Sequence, residues 1–197
     1  MTNPPLVDPS KSALLVMDYQ IDTLGKFMEP TDSSEVLSVM PELLAAARSA
    51  GMLVIYVVVS FRPGYPEVSP RNSIFSFIAQ NGLCQAGSPG AQIHPAVAPV
   101  EGEIVVIKHR IGAFSGTDLQ TILQSQAIET LVVAGVHTSG VVLSTLRQAF
   151  DLDYRIVVAR DCCADPDQEA HDTLLNRVFP KQATVTSAAS LCDAIRT

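Results

Sequence analysis

The chain is short of charge: 17% of its 197 residues are charged, against 47% that are hydrophobic. A disordered chain needs the reverse balance, so disorder is excluded and a sizeable core can be buried. Basic residues are the scarcer sign, 13 against 20 acidic, for a net charge of -7. Such a chain is poorly matched to nucleic acid or to an anionic membrane surface, and neither is expected as a partner. An anionic substrate would have to be drawn in by local positive residues against that field. No apolar run has the length of a transmembrane helix, and the opening MTNPPLVDPSK lacks the charged and apolar regions of a signal peptide. Metal-type cysteine spacing is missing too. Cys84, Cys162, Cys163 and Cys192 form no C-x-x-C pair, and the adjacent Cys162 and Cys163 are poor candidates to bridge each other. Reduced thiols in a cytoplasmic protein are the expectation.

What the chain does have is a series of short apolar runs: Ala13–Met17, Met52–Val59, Ile104–Ile107, Leu131–Ala134, Ile156–Ala159 and a weaker Ala183–Ser187. Nearly continuous β-branched runs without in/out alternation suit strands buried on both faces of a parallel sheet. Helical patterns fall between them near residues 38–50, 117–126, 140–151, 167–179 and 188–195. Gly51 reads as a helix stop and Asp165-Pro166 as a helix start. Because Pro41 fits only a first turn, residues 31–37 are expected to be loop or a separate short turn. The stretch from Ser60 to Gly102 is too long for an idle connection and is expected to be functional, with a short helix near Ile74–Ala79. No repeat or linker interrupts the chain. One domain over residues 1–197 is expected: a three-layer α/β/α sandwich with a doubly wound, parallel six-stranded sheet.

Polar groups punctuate the strand ends. The first run ends in Asp18 and the third in Lys108, and the fourth enters a turn, His137-Thr138-Ser139-Gly140, that opens a helix. A carboxylate and an ammonium at the ends of apolar strands are costly to bury unless paired. If the strands converge, Asp18 and Lys108 meet in one pocket and tune each other for proton transfer. His109 and His137 have no metal-ligand spacing between them. Arg62 and Arg71, on the long loop, either fork onto a substrate carboxylate or brace the loop through Glu67 or Asp22. Phe27, Phe61, Tyr65 and Phe114 are candidate pocket walls.

From about residue 12 to 187 the chain resembles the isochorismatase-like cysteine hydrolases. Four segments carry the resemblance in order: SALLVMDYQ, VIKHRIGAFSGTDLQTIL, LVVAGVHTSG and DYRIVVARDCCADPD. The resemblance implies that Asp18 and Lys108 are the catalytic aspartate and lysine, with Gln20 as the glutamine that follows. It puts Gly140 where the family has its nucleophilic cysteine. The candidate substrate contacts are then Gln20 and the turn residues His137, Thr138 and Ser139, which the resemblance implies, together with Phe27, Arg62 and Phe114 from the reading of the residues themselves. A cis peptide is implied at Val136–His137, and backbone N–H groups of the turn would hold an oxyanion. The metal-binding branch of the family carries Asp-x-His after its second strand. Here that place reads Ser60-Phe61-Arg62-Pro63-Gly64, so no metal and no cofactor are expected. A homo-oligomer, dimer or tetramer, is implied by resemblance alone.

Glycine at position 140 rules out the family's thiolate route there. Ser139 should point elsewhere, Ser144 should face packing, and Cys163 is expected to be a small buried hydrophobe. Isochorismatases that lack the cysteine protonate the enol carbon of a vinyl ether with the aspartate, after which water attacks the cation. The leading expectation is therefore acid-assisted hydrolysis of a small molecule, with Asp18 as general acid and Lys108 balancing charge. The alternatives are C–N (amide) hydrolysis by water that Asp18 activates, and a ligand-binding pseudoenzyme.

Overall fold

A computed structural model of the protein describes residues 7–196. The first six residues of the opening segment, and with them most of the expectation about a leader, lie outside the described residues. The strands are β1 (Ser12–Met17), β2 (Leu53–Val59), β3 (Ile104–Lys108), β4 (Thr130–Val136), β5 (Arg155–Ala164) and β6 (Thr184–Thr186). They form one sheet in the order β3-β2-β1-β4-β5-β6, with every neighbouring pair parallel.

The apolar runs are continuous because both sheet faces are covered. Along β1, Leu14 and Val16 enter one core while Ala13, Leu15 and Met17 enter the other. The first core is closed by α1 (Ile21–Lys26), through Leu24, by α2 (Pro30–Ser49), through Val36, Met40, Leu43 and Leu44, and by α7 (Ala188–Arg196), through Leu191 and Ile195. The second is closed by α4 (Leu119–Ser125) and α5 (Leu143–Asp151), through Leu119, Leu123, Leu146 and Ala149. Strand order reverses between β1 and β4, so the crevice outside their carboxyl ends is where such a sheet offers a ligand site.

Two local expectations are corrected. Residues 31–37 belong to α2, which runs through Pro41. Pro41 removes one main-chain hydrogen bond from the helix interior. The burial of Val36, Met40, Leu43 and Leu44 along the same helix offsets that loss. Asp165 does not cap the helix after β5. Asp167 does, accepting from the Ala170 N–H at 3.0 Å at the start of α6 (Gln168–Thr173). Asp165 stands just before it, accepting from the Asp167 N–H through Oδ1 (3.1 Å) and from the turn after β4 through Oδ2. Gly51 does end α2, at φ +67, where a glycine adopts the left-handed conformation freely. The long loop folds one short α-helix, α3 (Ser73–Gln80), started by the Asn72 side chain, and two 3-10 turns, Pro89–Ala91 and Pro95–Val97.

Candidate active site

Asp18 follows the last residue of β1 at φ 58, a conformation that aspartate tolerates better than most side chains, and its N–H still donates to the Val57 carbonyl at 2.8 Å. The next turn is locked by Gln20. Its Nε2 donates to the carbonyls of Val59 (2.9 Å) and Ala91 (2.8 Å), and its Oε1 accepts from the Val59 N–H (2.8 Å). Fully buried, Gln20 ties β1 to the end of β2 and to the long loop.

Lys108 reaches Asp18 from the end of β3, two strands away in the sheet. Its Nζ lies 2.8 Å from Asp18 Oδ2 and donates to the Arg110 carbonyl at 3.1 Å. Both side chains are almost wholly out of water, at 3% exposed for Lys108 and 9% for Asp18. The other carboxyl oxygen, Oδ1, is buried and has no hydrogen-bond partner. Burial pushes the Asp18 carboxyl above the usual carboxylate range, and the attraction and hydrogen bond of Lys108 oppose that shift.

After β4 the chain passes a cis peptide at Val136–His137 and enters a π-helical turn, Thr138–Val142, that leads into α5. The His137 carbonyl accepts from the N–H groups of Gly140 (3.2 Å) and Val142 (3.3 Å). Thr138 pairs its hydroxyl with His171 Nδ1 at 2.8 Å, and the Ser139 N–H donates to Asp165 Oδ2 at 2.6 Å. The N–H groups of Ser139 and Gly140 are thus committed within the protein. The His137 ring is different: its Nε2 is buried without a partner. Burial holds its pKa below the ordinary histidine value, against the pull of Asp165 and Asp18.

These elements enclose a cavity of about 150 Å³ lined by Asp18, Lys108, His137 and Gly140, with apolar walls that include Phe27, Ile74, Phe75 and Ile111. The Phe27 ring meets His137 edge-on, at 6.3 Å between centroids. A Cβ built on Gly140 would come no nearer than 3.8 Å to its surroundings, so the position has room for a side chain that it does not carry. Of the residues singled out in the sequence, Asp18, Lys108, Phe27, His137 and Gly140 meet at this cavity, whereas Gln20 and Thr138 are buried outside its lining and Ser139 is exposed. Arg62 points to solvent and pairs with Glu67 at 2.6 Å. Phe114 stacks on Tyr154 at 6.3 Å in the second core. Among the described residues, no group of three or more His, Cys, Asp or Glu side chains is placed to hold a metal ion.

Sequence reasoning missed Cys84, which lines the cavity from the long loop, buried among Phe61, Phe75 and Ile78. Burial, and then the negative charges of Asp22 and Asp18, push its thiol up to about 12. No local spacing marks it, because only the path of the long loop brings it there. Cys163, by contrast, is a buried thiol in the second core, also raised to about 12.

Fold and site together define a doubly wound α/β protein whose small, mostly apolar cavity at the topological switch point holds a buried Asp–Lys pair. Residues 12–190 match the isochorismatase domain, and the chain belongs to the isochorismatase family. It is 31% identical over 191 residues to the uncharacterized isochorismatase family protein YecD of Escherichia coli O157:H7, covering 93% of this chain and 96% of that one. A cysteine hydrolase from Pseudomonas syringae has the same fold, with a TM-score of 0.86 at 23% identity over 100% of this chain and 99% of that one. The N-carbamoylsarcosine amidase of Thermoplasma acidophilum superposes with a TM-score of 0.75 at 26% identity, over 90% of this chain and 96% of the amidase. No described helix is long and apolar enough to cross a membrane.

Proposed function

We propose that this isochorismatase-family hydrolase cleaves a small ether- or enol-containing molecule without a cysteine nucleophile, with Asp18 as general acid. One observation carries the reading. The Asp18 carboxyl is desolvated and anchored through one oxygen by Lys108, while its second oxygen is unpartnered at the cavity. A carboxyl held this way keeps a proton more readily than one in water and has a free oxygen from which to give it.

In the proposed step, protonated Asp18 transfers its proton to the terminal enol carbon of a vinyl ether. The electron pair of the ether oxygen then forms an oxocarbenium ion. Water adds to the cationic carbon and returns a proton to the Asp18 carboxylate, and the hemiketal collapses to a ketone and an alcohol. Lys108, 2.8 Å from Oδ2, stabilises the carboxylate that exists between the two proton transfers. Gly140 has the place of the family cysteine on this reading, and its missing side chain leaves room for substrate.

A second reading is C–N hydrolysis by water activated by ionised Asp18. The Asp18–Lys108 ion pair and the likeness to the N-carbamoylsarcosine amidase favour it. The two require opposite protonation states of Asp18. Turnover of isochorismate and of a panel of small amides by wild type, Asp18→Asn and Gly140→Cys separates them. Ether hydrolysis that is lost in Asp18→Asn supports the acid. Amide hydrolysis by wild type supports the base. No wild-type turnover, with amidase activity gained in Gly140→Cys, would instead mean a binding protein on a hydrolase scaffold.

A further inference from the structure

The two edges of the sheet are finished differently. At one edge β6 is three residues long with threonine at both ends, the short, polar form by which proteins discourage further pairing. At the other edge β3 has the sequence IVVIK, with no proline, and its one charge, on Lys108, is buried. Among the described residues, β2 is its only strand neighbour and no isolated bridge covers its other side. Its side chains alternate. Ile104 and Val106 turn to the second core and Lys108 to the cavity, while Val105 and Ile107 stand on the opposite face, 44% and 53% exposed. The main-chain groups alternate too. Because the Ser60 N–H donates to the Lys108 carbonyl, Lys108, Val106 and Ile104 turn their N–H and C=O groups to β2. Those of Val105 and Ile107 therefore face outward, away from the sheet. The strand also changes sign along its length: Glu101 and Glu103 precede it, and His109 and Arg110 follow it, with Glu101 and Arg110 exposed.

We propose that β3 pairs antiparallel with β3 of a second copy of this chain, about a two-fold axis at Val106, joining the two sheets into one. This register sets Val105 opposite the partner's Ile107, and Ile107 opposite the partner's Val105. Both residues have outward main-chain groups, so each opposed pair exchanges two hydrogen bonds. The four β-branched side chains then lie together on one face, where cross-strand pairs of this kind stabilise a sheet. The same register sets Glu103 opposite the partner's His109 and brings Glu101 beside the partner's Arg110. A two-fold contact must be self-complementary. Here the acidic end of the strand meets the basic end of its copy, whereas parallel pairing would set like charges side by side. The paired strand is the one that presents Lys108 to Asp18, so the contact would brace the edge that carries the site lysine. It does not depend on which reaction the site performs.

Sedimentation equilibrium of the whole chain, as wild type, Ile107→Lys and Phe150→Lys, tests the contact. Phe150 is a control of similar exposure, 44%, on α5 away from β3. Wild type should be a dimer or a multiple of one. Ile107→Lys, which sets a charge on the apolar face of the edge, should weaken association at least about tenfold and halve the mass. Its circular dichroism should remain that of the folded chain, and Phe150→Lys should keep the wild-type mass. A cross-link reads the register without relying on that variant, since all four native cysteines are buried. On mild oxidation a mixture of Val105→Cys and Ile107→Cys chains should form a disulfide dimer, because opposed residues of this kind lie about 5.5 Å apart at Cα. Each variant alone should not, because like residues then sit on the longer diagonal. A monomeric wild type, or an unchanged mass in Ile107→Lys, would overturn the proposal. So would cross-linking of either variant alone, or none in the mixture.

Discussion

Strand β3 has an ion pair at each end, and the two pairs are built differently. Before its first residue, Glu103 receives Arg48 through both oxygens, at 2.8 and 2.9 Å, and the Val100 N–H at 2.8 Å. Arg48 donates further to the Tyr56 hydroxyl and the Ala98 carbonyl, both at 3.1 Å. Hydrogen bonding from Arg48 holds Glu103 below the usual carboxylate range. At the other end, Asp18 has one bond to Lys108 and an orphan oxygen, and burial drives it the opposite way. The satisfied pair braces α2 against the sheet. The half-satisfied pair holds a carboxyl ready to exchange a proton, which is what buried groups with perturbed affinities do at active sites.

The difference has a sign in pH. Glu103 binds its proton less tightly folded than unfolded, so its pair stabilises above the unfolded value and that contribution is lost as pH falls through the depressed folded value. Asp18 binds its proton more tightly folded. Its contribution is present below the unfolded value and is lost as pH rises through the raised folded one.

The largest effect that would break the contrast is on activity. Asp18→Asn should lower kcat/KM about 10²–10⁴-fold, the usual worth of a positioned general acid, while Glu103→Gln should leave it within about threefold. Equal losses would mean that both pairs are structural. Next in size is Lys108→Met, which leaves the buried Asp18 without its counter-ion and should destabilise by about 3–5 kcal/mol. The loss is read by denaturant unfolding at a pH above the raised folded value of Asp18, where the carboxylate is charged. That loss should shrink in acid as Asp18 takes up its proton, and in Asp18→Asn/Lys108→Met, which removes the stranded charge. Arg48→Met should cost less, about 1–3 kcal/mol, because Glu103 keeps the Val100 N–H. Its cost should also fade below the folded pKa of Glu103. The smallest test sharpens the site itself by comparing two glycines of one motif. A Cβ at Gly135 would meet the Met17 Cβ and carbonyl at 3.1 Å, so Gly135→Ala should cost about 1–3 kcal/mol. Gly140→Ala, with nothing nearer than 3.8 Å, should stay within about 0.5 kcal/mol, read as a shift in Tm.

Much of the fold was legible because strands buried on both faces write themselves as unbroken β-branched runs, as in LVIYVVV of β2. Asp18 and Lys108 were legible for a related reason: each is the charged residue that ends such a run, at a cost only a partner can offset. Pro41 misled because its rule is local, whereas the fate of α2 is decided by packing against β5 and α7. Arg62 could be read either as a substrate fork or as a loop brace, and the fold of the loop brings it to Glu67. Cys84 had no signal at all. Its place at the cavity depends on the path of residues 60–102, and that path leaves no periodicity in the sequence.

A titration of the side-chain carboxyl carbons by ¹³C NMR, with Asp18 and Glu103 assigned through Asp18→Asn and Glu103→Gln, tests the central claim most directly. The account predicts that Asp18 titrates above the usual carboxylate range and Glu103 below it. If both titrate below, Lys108 outweighs burial, Asp18 is ionised wherever the protein works, and the acid mechanism is contradicted.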